Sequence, residues 1–251
     1  MKKLSYVLML ALLAGITSCK KDDETTDNGG GGSTTPTVNT TPTYSDADGV
    51  LAAVYTNNWI TMPFVGTMNM PIGTAVAAFS STTGGSTYVD AGVVKCEDST
   101  LTKNSSNAYY FNPSMYNPYG LSLGGNVSWD VAGNASVPVI NYTTSGVIPS
   151  VDSISNGTTI NKSNAYTLSV MGSISNSDSV IFVVAGPSAT LTVTRPAGTT
   201  SHTFSATEMG TIGSGSGVVE VVPYNWESTT ISGKKFYFVN EAAATKLVTI
   251  N

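Results

Sequence analysis

The chain has 251 residues, of which 41% are apolar and only 11% are charged, and its formal net charge is −5. A single arginine, Arg195, and this negative charge exclude a nucleic-acid-binding protein, which needs a basic face. Ala, Glu, Lys and Leu are too scarce for a coiled coil or a helical repeat, and two Cys are too few for a disulfide scaffold. Twelve Tyr, 25 Gly and abundant Val and Thr predict an all-β fold with many turns.

The N-terminus has the pattern of a secretory signal. Two lysines are followed by an apolar stretch at 6–16, which is too short to span a bilayer. It ends in Ile-Thr-Ser-Cys at 16–19, which resembles the lipobox of bacterial lipoproteins. The resemblance implies that residues 1–18 are a signal peptide that is removed, and that Cys19 is lipidated and anchors the protein to a membrane. A secreted protein with a chance Cys is the alternative.

A charged run follows the lipidated residue. Lys-Lys-Asp-Asp-Glu at 20–24 resembles the export signal of surface lipoproteins of the Bacteroidota, which carry an acidic cluster just after the Cys. The resemblance implies a lipid-anchored protein of the outer membrane that faces outward. A solvated tether with chance charges is the alternative interpretation of this short motif.

Residues 19–43 have the composition of a linker. Four consecutive glycines at 29–32 are followed by Thr, Ser and Pro, and no apolar periodicity is present. Such a composition predicts a flexible tether between the lipid and a folded body that starts at Tyr44.

The body contains short apolar or alternating runs, which are bounded by Gly, Pro, Asn or Ser and predict strands. These runs are 49–55, 72–79, 91–96, 107–111, 126–131, 137–142, 166–170, 180–185, 190–194, 218–222, 236–239 and 247–250. The first run is rich in Ala and fits a short helix as an alternative. Ser205 and Glu208 have the spacing of a capping box and predict one helical turn.

The strand pattern divides near residue 150. We predict an N-terminal β domain at 44–150 and a C-terminal domain at 151–251 with about seven strands. The second resembles an immunoglobulin or fibronectin type III sandwich, although the Cys…Trp…Cys pattern of true immunoglobulins is missing. A single continuous sandwich is the alternative.

Residues for catalysis or metal binding are few. His202 is the only His, no G-x-S-x-G motif is present, and we expect His202 to be an exposed strand residue. Asp46 and Asp48 resemble the start of a calcium loop, but the loop lacks acids at its later positions. Cys96 has no partner once Cys19 is acylated, and we expect it to be buried. The sequence therefore predicts no enzyme, no cofactor and no metal site.

A concentration of aromatic residues is the one sequence feature that points to a binding site. Segment 109–119 holds four Tyr and a Phe, and its two prolines predict that the later tyrosines lie on a loop. A second patch, at 223–227, is predicted to be a turn that carries a Tyr and a Trp. The candidate binding residues are Tyr109, Tyr110, Tyr116, Tyr119 and Trp226. Their rings either fill the ends of the sandwich or form a binding surface.

The sequence thus predicts a non-enzymatic surface lipoprotein. The preferred function is a module that binds a glycan or a protein through these aromatic residues. The alternative is a structural surface protein with no small ligand.

Overall fold

The computed structural model describes residues 44–62, 64 and 66–251, with the backbone alone at 58–62 and 66–68. The predicted signal peptide, the lipidated Cys19 and the linker lie outside the described residues. The strands are β1 (Gly49–Met62), β2 (Gly66–Phe79), β3 (Val94–Cys96), β4 (Ser99–Thr100), β5 (Thr102–Lys103), β6 (Tyr109–Tyr110), β7 (Asn126–Val131), β8 (Ile140–Val147), β9 (Thr159–Ile160), β10 (Tyr166–Ser169), β11 (Ser179–Ala185), β12 (Thr190–Pro196), β13 (Ser201–Phe204), β14 (Gly215–Ile231) and β15 (Lys234–Ile250). A helix of one turn, α1 (Ala206–Met209), lies between β13 and β14.

One large sheet organises the described part of the chain. It has nine strands in the order β12-β11-β14-β15-β1-β2-β6-β5, with β9 pairing beside β15. A four-stranded sheet, β4-β3-β7-β8, and a two-stranded sheet, β10-β13, accompany it. The predicted all-β, sandwich-type fold is confirmed.

Two hydrophobic cores lie along this sheet. The first core contains Phe79 and Trp129 and is built mainly from residues 51–140. The second core contains Phe182 and Phe204 and is built from residues 151–250. These two clusters are called the first core and the second core.

Strand β15 belongs to both cores. Phe236 and Phe238 pack in the first core, whereas Ala242 and Val248, farther along the same strand, pack in the second. Strand β15 also pairs with β1 in parallel, from Gly49 opposite Phe236 to Asn58 opposite Thr245. The large sheet and strand β15 therefore cross the predicted boundary near residue 150, although most residues of each core lie on one side of it. Whether each half folds independently, and whether the second half is immunoglobulin-like, stay predictions.

Several local predictions can be compared with the structure. Run 49–55 is a strand, not a helix. Ser205 caps α1 and forms the predicted capping box with Glu208. Ser232 and Gly233 have positive φ and form the tight turn between β14 and β15, since that geometry joins antiparallel strands directly.

The two last predicted strands, 236–239 and 247–250, are parts of the single strand β15. The alanines between them, Ala242 to Ala244, adopt strand geometry because all three pair with β1, which overrides their weak intrinsic preference for strands. None of the helices in the described residues is long and apolar enough to cross a membrane.

The β1–β2 hairpin extends farther than its apolar pattern predicts. Pairing of β1 with β15 ends at Asn58, but β1 and β2 stay paired up to Met62 and Gly66. Phe64, at the tip, is fully exposed. Within the described part of the chain, the hairpin beyond Asn58 is thus a two-stranded arm.

Candidate functional site

The predicted aromatic loop is held against the large sheet by backbone hydrogen bonds. The amide of Gly73 in β2 donates to the carbonyl oxygen of Tyr119, and the amide of Leu121 donates to the carbonyl oxygen of Gly73, both over 2.9 Å. A Cβ atom on Gly73 would lie 2.0 Å from the carbonyl oxygen of Leu121. Gly120 has a φ of +70°, which side chains rarely tolerate. Both glycines are needed for this close approach.

The loop folds back on itself at its tip. Ser114 and Asn117 exchange backbone hydrogen bonds of 3.0 and 3.1 Å, and the Asn117 side chain donates to the carbonyl oxygen of Gly120 over 2.8 Å. We call residues 112–120 the tyrosine loop. Its hydrogen bonds fix its backbone on a rigid strand, so its side chains are presented in a defined arrangement.

Three apolar side chains protrude from the tyrosine loop. Met115 is 89% exposed, Tyr116 is 96% exposed and Tyr119 is 57% exposed. The loop has no charged residue. Large apolar side chains gathered in one exposed segment are typical of an interaction site.

Tyr109, by contrast, is a core residue. Its ring is 2% exposed and packs edge-on against Phe79 in the first core. Its hydroxyl accepts a hydrogen bond from the amide of Ala91 and donates to a carboxylate oxygen of Asp90, each over 2.8 Å. The prediction that Tyr109 belongs to a binding surface is therefore wrong. Tyr110, its neighbour in β6, is half-buried.

The Asp90 carboxylate connects several groups near this core. Lys103 forms an ion pair with it, and the amide of Gly92 and the hydroxyl of Tyr109 also bond to it. These contacts, that of Lys103 first, lower the pKa of Asp90 to about 2. Burial raises the pKa of Tyr109 to about 12. This network fixes the position of the Tyr109 ring.

Trp226 lies in the middle of β14 and not on a turn, so the prediction of a turn at 223–227 is wrong. Pro223 indicated a turn, but the ladder between β14 and β15 is interrupted at Val222 and Pro223, where proline has no amide to donate. Trp226 is half-buried, with its ring 5.5 Å from that of Tyr237. Strands β15 and β1 separate it from β2, so Trp226 and the tyrosine loop do not form one site.

A third hydrophobic cluster lies on the other face of the large sheet. We call the face that points away from both cores the outer face. Its cluster consists of Ala52, Tyr224 and Val239, with Tyr44, Val50, Val76, Ile181 and Trp226 packed around them. The sequence patterns did not predict this cluster. Apolar residues at successive positions of β1 and β14 nevertheless indicate strands that are covered on both faces.

Two acids share the outer face. Glu220 pairs with Thr245, and Glu241 pairs with Tyr224 across β14 and β15. Burial raises the pKa of both carboxyls to about 7, and the charge of Glu220 further raises the pKa of Glu241. In the sequence, Glu220 stands within the apolar run 218–222 and Glu241 within the largely apolar run 239–244, which indicates that both acids are buried.

His202 lies on β13 but is half-buried, so the expected exposure is wrong. Its ring packs edge-on against Phe204 at 4.7 Å, and Arg195 donates a hydrogen bond of 3.2 Å to its Nδ1. Burial, and then the charge of Arg195, lower its pKa. Because Nδ1 already accepts this hydrogen bond, it is not free to accept a proton from a substrate.

The remaining candidates are Cys96 and the acids of the described residues. Cys96 is buried in the first core, as predicted, and burial followed by the nearby Glu97 raises the pKa of its thiol. No group of three or more His, Cys, Asp and Glu within the described residues could hold a metal ion.

No known protein family and no curated protein matches this chain. The class that its fold and site define is an all-β, sandwich-type protein with a rigidly held, exposed tyrosine loop.

Proposed function

We propose that the chain is a lipid-anchored surface protein that binds another protein through the tyrosine loop. The exposure of Tyr116 is the observation that carries this proposal. A tyrosine ring that is 96% exposed contributes nothing to the cores, and Tyr119 and Met115 are exposed beside it. Tyrosine and methionine are enriched in protein interfaces, where their side chains fill pockets of the partner.

The shape of the loop favours a protein partner over a glycan. The ring of Tyr116 is almost entirely exposed and protrudes from the body. Glycan recognition combines flat rings with several polar groups that converge on hydroxyls. In the tyrosine loop the large exposed side chains are two phenols and a thioether, and the exposed polar side chains of Ser114 and Asn117 are engaged in hydrogen bonds within the loop. A protruding, uncharged loop on a rigid strand fits a concave surface on another protein.

The lipid anchor would place the loop at a distance from the membrane. The tether reaches the body at Tyr44, close to the start of β1 at Gly49. Gly73, which holds the loop, lies opposite Tyr55, about 20 Å farther along the sheet at 3.3 Å per residue. The loop is therefore presented away from the point where the tether enters. The lipobox-like end at Cys19 and the acidic run after it support the anchor and the outward placement.

The test is a binding screen of the full chain against arrays of extracellular proteins and of glycans. The variant is the double substitution Tyr116→Ala and Tyr119→Ala, and Met171→Ala is the control, since Met171 is a 56%-exposed apolar residue outside the loop. Saturable binding to a protein that the double variant loses, with its thermal unfolding unchanged, would support the proposal.

Other outcomes decide between the alternatives. Binding to a glycan that depends on the same tyrosines would replace the protein partner by a glycan. Binding that the double variant retains would exclude the tyrosine loop. No saturable binding in either array would favour a structural surface protein with no ligand.

A further inference from the structure

Strand β12 lies at one end of the large sheet. It pairs with β11 in antiparallel register, from Thr190 opposite Ala185 to Pro196 opposite Ser179, and no described strand pairs with its other side. We call the unpaired side of residues 190–193 the open edge of β12. A strand edge of this kind presents a row of backbone amides and carbonyl oxygens that can pair with another strand.

The alternation of the ladder identifies the backbone groups that point to the open edge. The amide of Gly186 donates to the carbonyl oxygen of Ala189 over 2.9 Å, so these residues form a hydrogen-bonded pair at the turn between β11 and β12. Bonded and non-bonded pairs alternate along an antiparallel ladder. The backbone of Leu191 therefore bonds to β11, whereas the amides and carbonyl oxygens of Thr190 and Thr192 point to the open edge. Neither amide has a hydrogen-bond partner among the described residues.

The open edge is accessible, and it lacks the features that block the other edges of the large sheet. Thr190 and Thr192 are exposed. At the opposite end of the sheet, β5 has only two residues, and Pro71 interrupts the row of amides in β2 beside the tyrosine loop. Short strands and prolines at an edge prevent the addition of a further strand. The only proline of β12 is its last residue, Pro196.

The sequence of the open edge is complementary to a second copy of itself. Two antiparallel copies centred on Leu191 would place Thr190 of each copy opposite Thr192 of the other. The amides and carbonyl oxygens that point to the open edge would then all be paired between the copies. Threonines that lie opposite each other also form a favourable cross-strand pair.

Apolar side chains on the inner side of β12 favour the same pairing. Leu191 and Val193 pack against the second core but are only half-buried, because β12 is the last strand above this core. In the pairing centred on Leu191, the two copies of this side chain face each other in a non-hydrogen-bonded pair, where side chains approach most closely. The second core would thus continue from one copy into the other, and burial of this apolar surface favours association.

The distribution of charge allows two copies of an acidic chain to meet at β12. The net charge is −5, yet no Asp or Glu occurs from Ser179 to Thr207, and Arg195 is the only Lys or Arg in that range. In the pairing centred on Leu191, the two copies of Arg195 lie about 26 Å apart at 3.3 Å per residue. Repulsion between like charges therefore does not oppose the contact.

We infer that two copies of the chain associate through the open edge of β12, in antiparallel orientation, so that one continuous sheet runs through the dimer. Each copy contributes a single strand, which makes the interface smaller than that of a permanent dimer. We therefore expect a reversible dimer with a dissociation constant in the micromolar range. Strand β12 is five strands away from β2, so both tyrosine loops would stay accessible. The inference does not depend on the proposed function.

Sedimentation equilibrium of the full chain tests this inference. Every sample carries Cys19→Ser, so that a lipid cannot cause association. We expect a dimer that dissociates on dilution. Thr192→Pro should weaken the dimer at least about tenfold, because proline removes an amide from the open edge but none from the ladder with β11. Thr192→Val keeps the amide and is the matched control, which should dimerise as the unsubstituted chain does.

The opposite results are equally clear. A chain that stays monomeric up to about 1 mM would overturn the inference. So would a dimer that Thr192→Pro leaves unchanged, because the interface would then lie elsewhere. Equal weakening by Thr192→Val would show that the threonine side chain, and not strand pairing, holds the dimer together.

A cysteine cross-link tests the register and decides the question if Thr192→Pro does not fold. With oxidised glutathione as the oxidant, Leu191→Cys should form a disulfide between two chains, since the Cα atoms of a non-hydrogen-bonded pair are about 4.5 Å apart. The matched control is Leu247→Cys, because Leu247 is an exposed leucine of β15, which has strands on both sides. We expect at least about tenfold more cross-linked dimer for Leu191→Cys. Equal yields from the two variants would overturn the inference.

Discussion

Asn240 donates a hydrogen bond of 2.8 Å to the carbonyl oxygen of Gly146, at the point where β15 passes from the first core to the second. The Asn240 side chain is 1% exposed and also donates to Oδ1 of Asn225 over 3.2 Å. Asn225 in turn donates to the carbonyl oxygen of Val147 over 2.7 Å. A buried amide, Asn240, and a half-buried one, Asn225, thus tie β14 and β15 to the end of β8, between the apolar cores.

Replacing Asn240 should destabilise the whole fold. Asn240→Ala leaves the half-buried carbonyl oxygen of Gly146 and Oδ1 of Asn225 without this donor, so we expect a loss of about 1–3 kcal/mol in the free energy of unfolding. Denaturant unfolding measures it. Asn251→Ala, at an exposed asparagine, is the control. A loss for Asn240→Ala no larger than that of the control would show that the junction is not important for stability.

Substitution of Tyr109 should lower the free energy of unfolding much more than substitution of Tyr116. Tyr109→Ala removes a buried ring from the first core and should cost about 3–5 kcal/mol. Tyr116→Ala removes an exposed ring and should change the free energy of unfolding by less than about 0.5 kcal/mol. Thermal or denaturant unfolding of both variants checks this. A large loss for Tyr116→Ala would mean that the tyrosine loop packs against the body.

The hydroxyl of Tyr109 should contribute separately from its ring. Tyr109→Phe keeps the ring but leaves the amide of Ala91 without its acceptor, which should cost about 1–3 kcal/mol. Denaturant unfolding of Tyr109→Phe, compared with that of Tyr109→Ala, separates the two contributions. Equal losses in the two variants would contradict this division.

The buried acids of the outer face should make stability fall as the pH rises. Burial raises the pKa of Glu220 to about 7 in the folded chain, from 4.5 for the free side chain. Between these values the folded state binds more protons than the unfolded state, so the free energy of unfolding decreases with pH over this window. The decrease should be on the order of 3 kcal/mol for this group.

Glu220→Gln tests that dependence. The variant should be more stable than the natural chain above about pH 7 and should lose part of the decrease between about pH 4.5 and 7. Asp98→Asn removes a charge from an exposed residue and serves as the control. Unfolding by denaturant at several pH values gives the profiles. An unchanged profile for Glu220→Gln would mean that its carboxylate is solvated.

Cys96 should be inert in the folded protein. Its side chain is fully buried, and burial raises the pKa of the thiol, so little thiolate forms at neutral pH. A thiol reagent should not label Cys96 in the folded chain over minutes, and should label it fully after denaturation. Rapid labelling of Cys96 in the folded chain, identified by peptide mapping, would contradict its burial.

Residue patterns predicted those features that depend on neighbours in the sequence. Alternation placed Tyr166 and Leu168 on a strand, and the spacing of Ser205 and Glu208 predicted the helix cap, because both patterns reflect local geometry. The two prolines of the segment at 109–119 predicted a loop, and Tyr116 and Tyr119 lie on it. Composition alone was enough for the all-β class.

The sequence by itself determined the all-β class, the helix cap and the position of the tyrosine loop, since these follow from backbone preferences of nearby residues. The tertiary structure decided which face each ring occupies. Tyr109 and Tyr116 belong to one aromatic segment, yet pairing of β6 with β2 buries the first, while the turn at Ser114 exposes the second. Likewise, the parallel pairing of β1 with β15 joins residues about 190 positions apart. Long-range pairing depends on the packing of the whole chain, which no local pattern encodes.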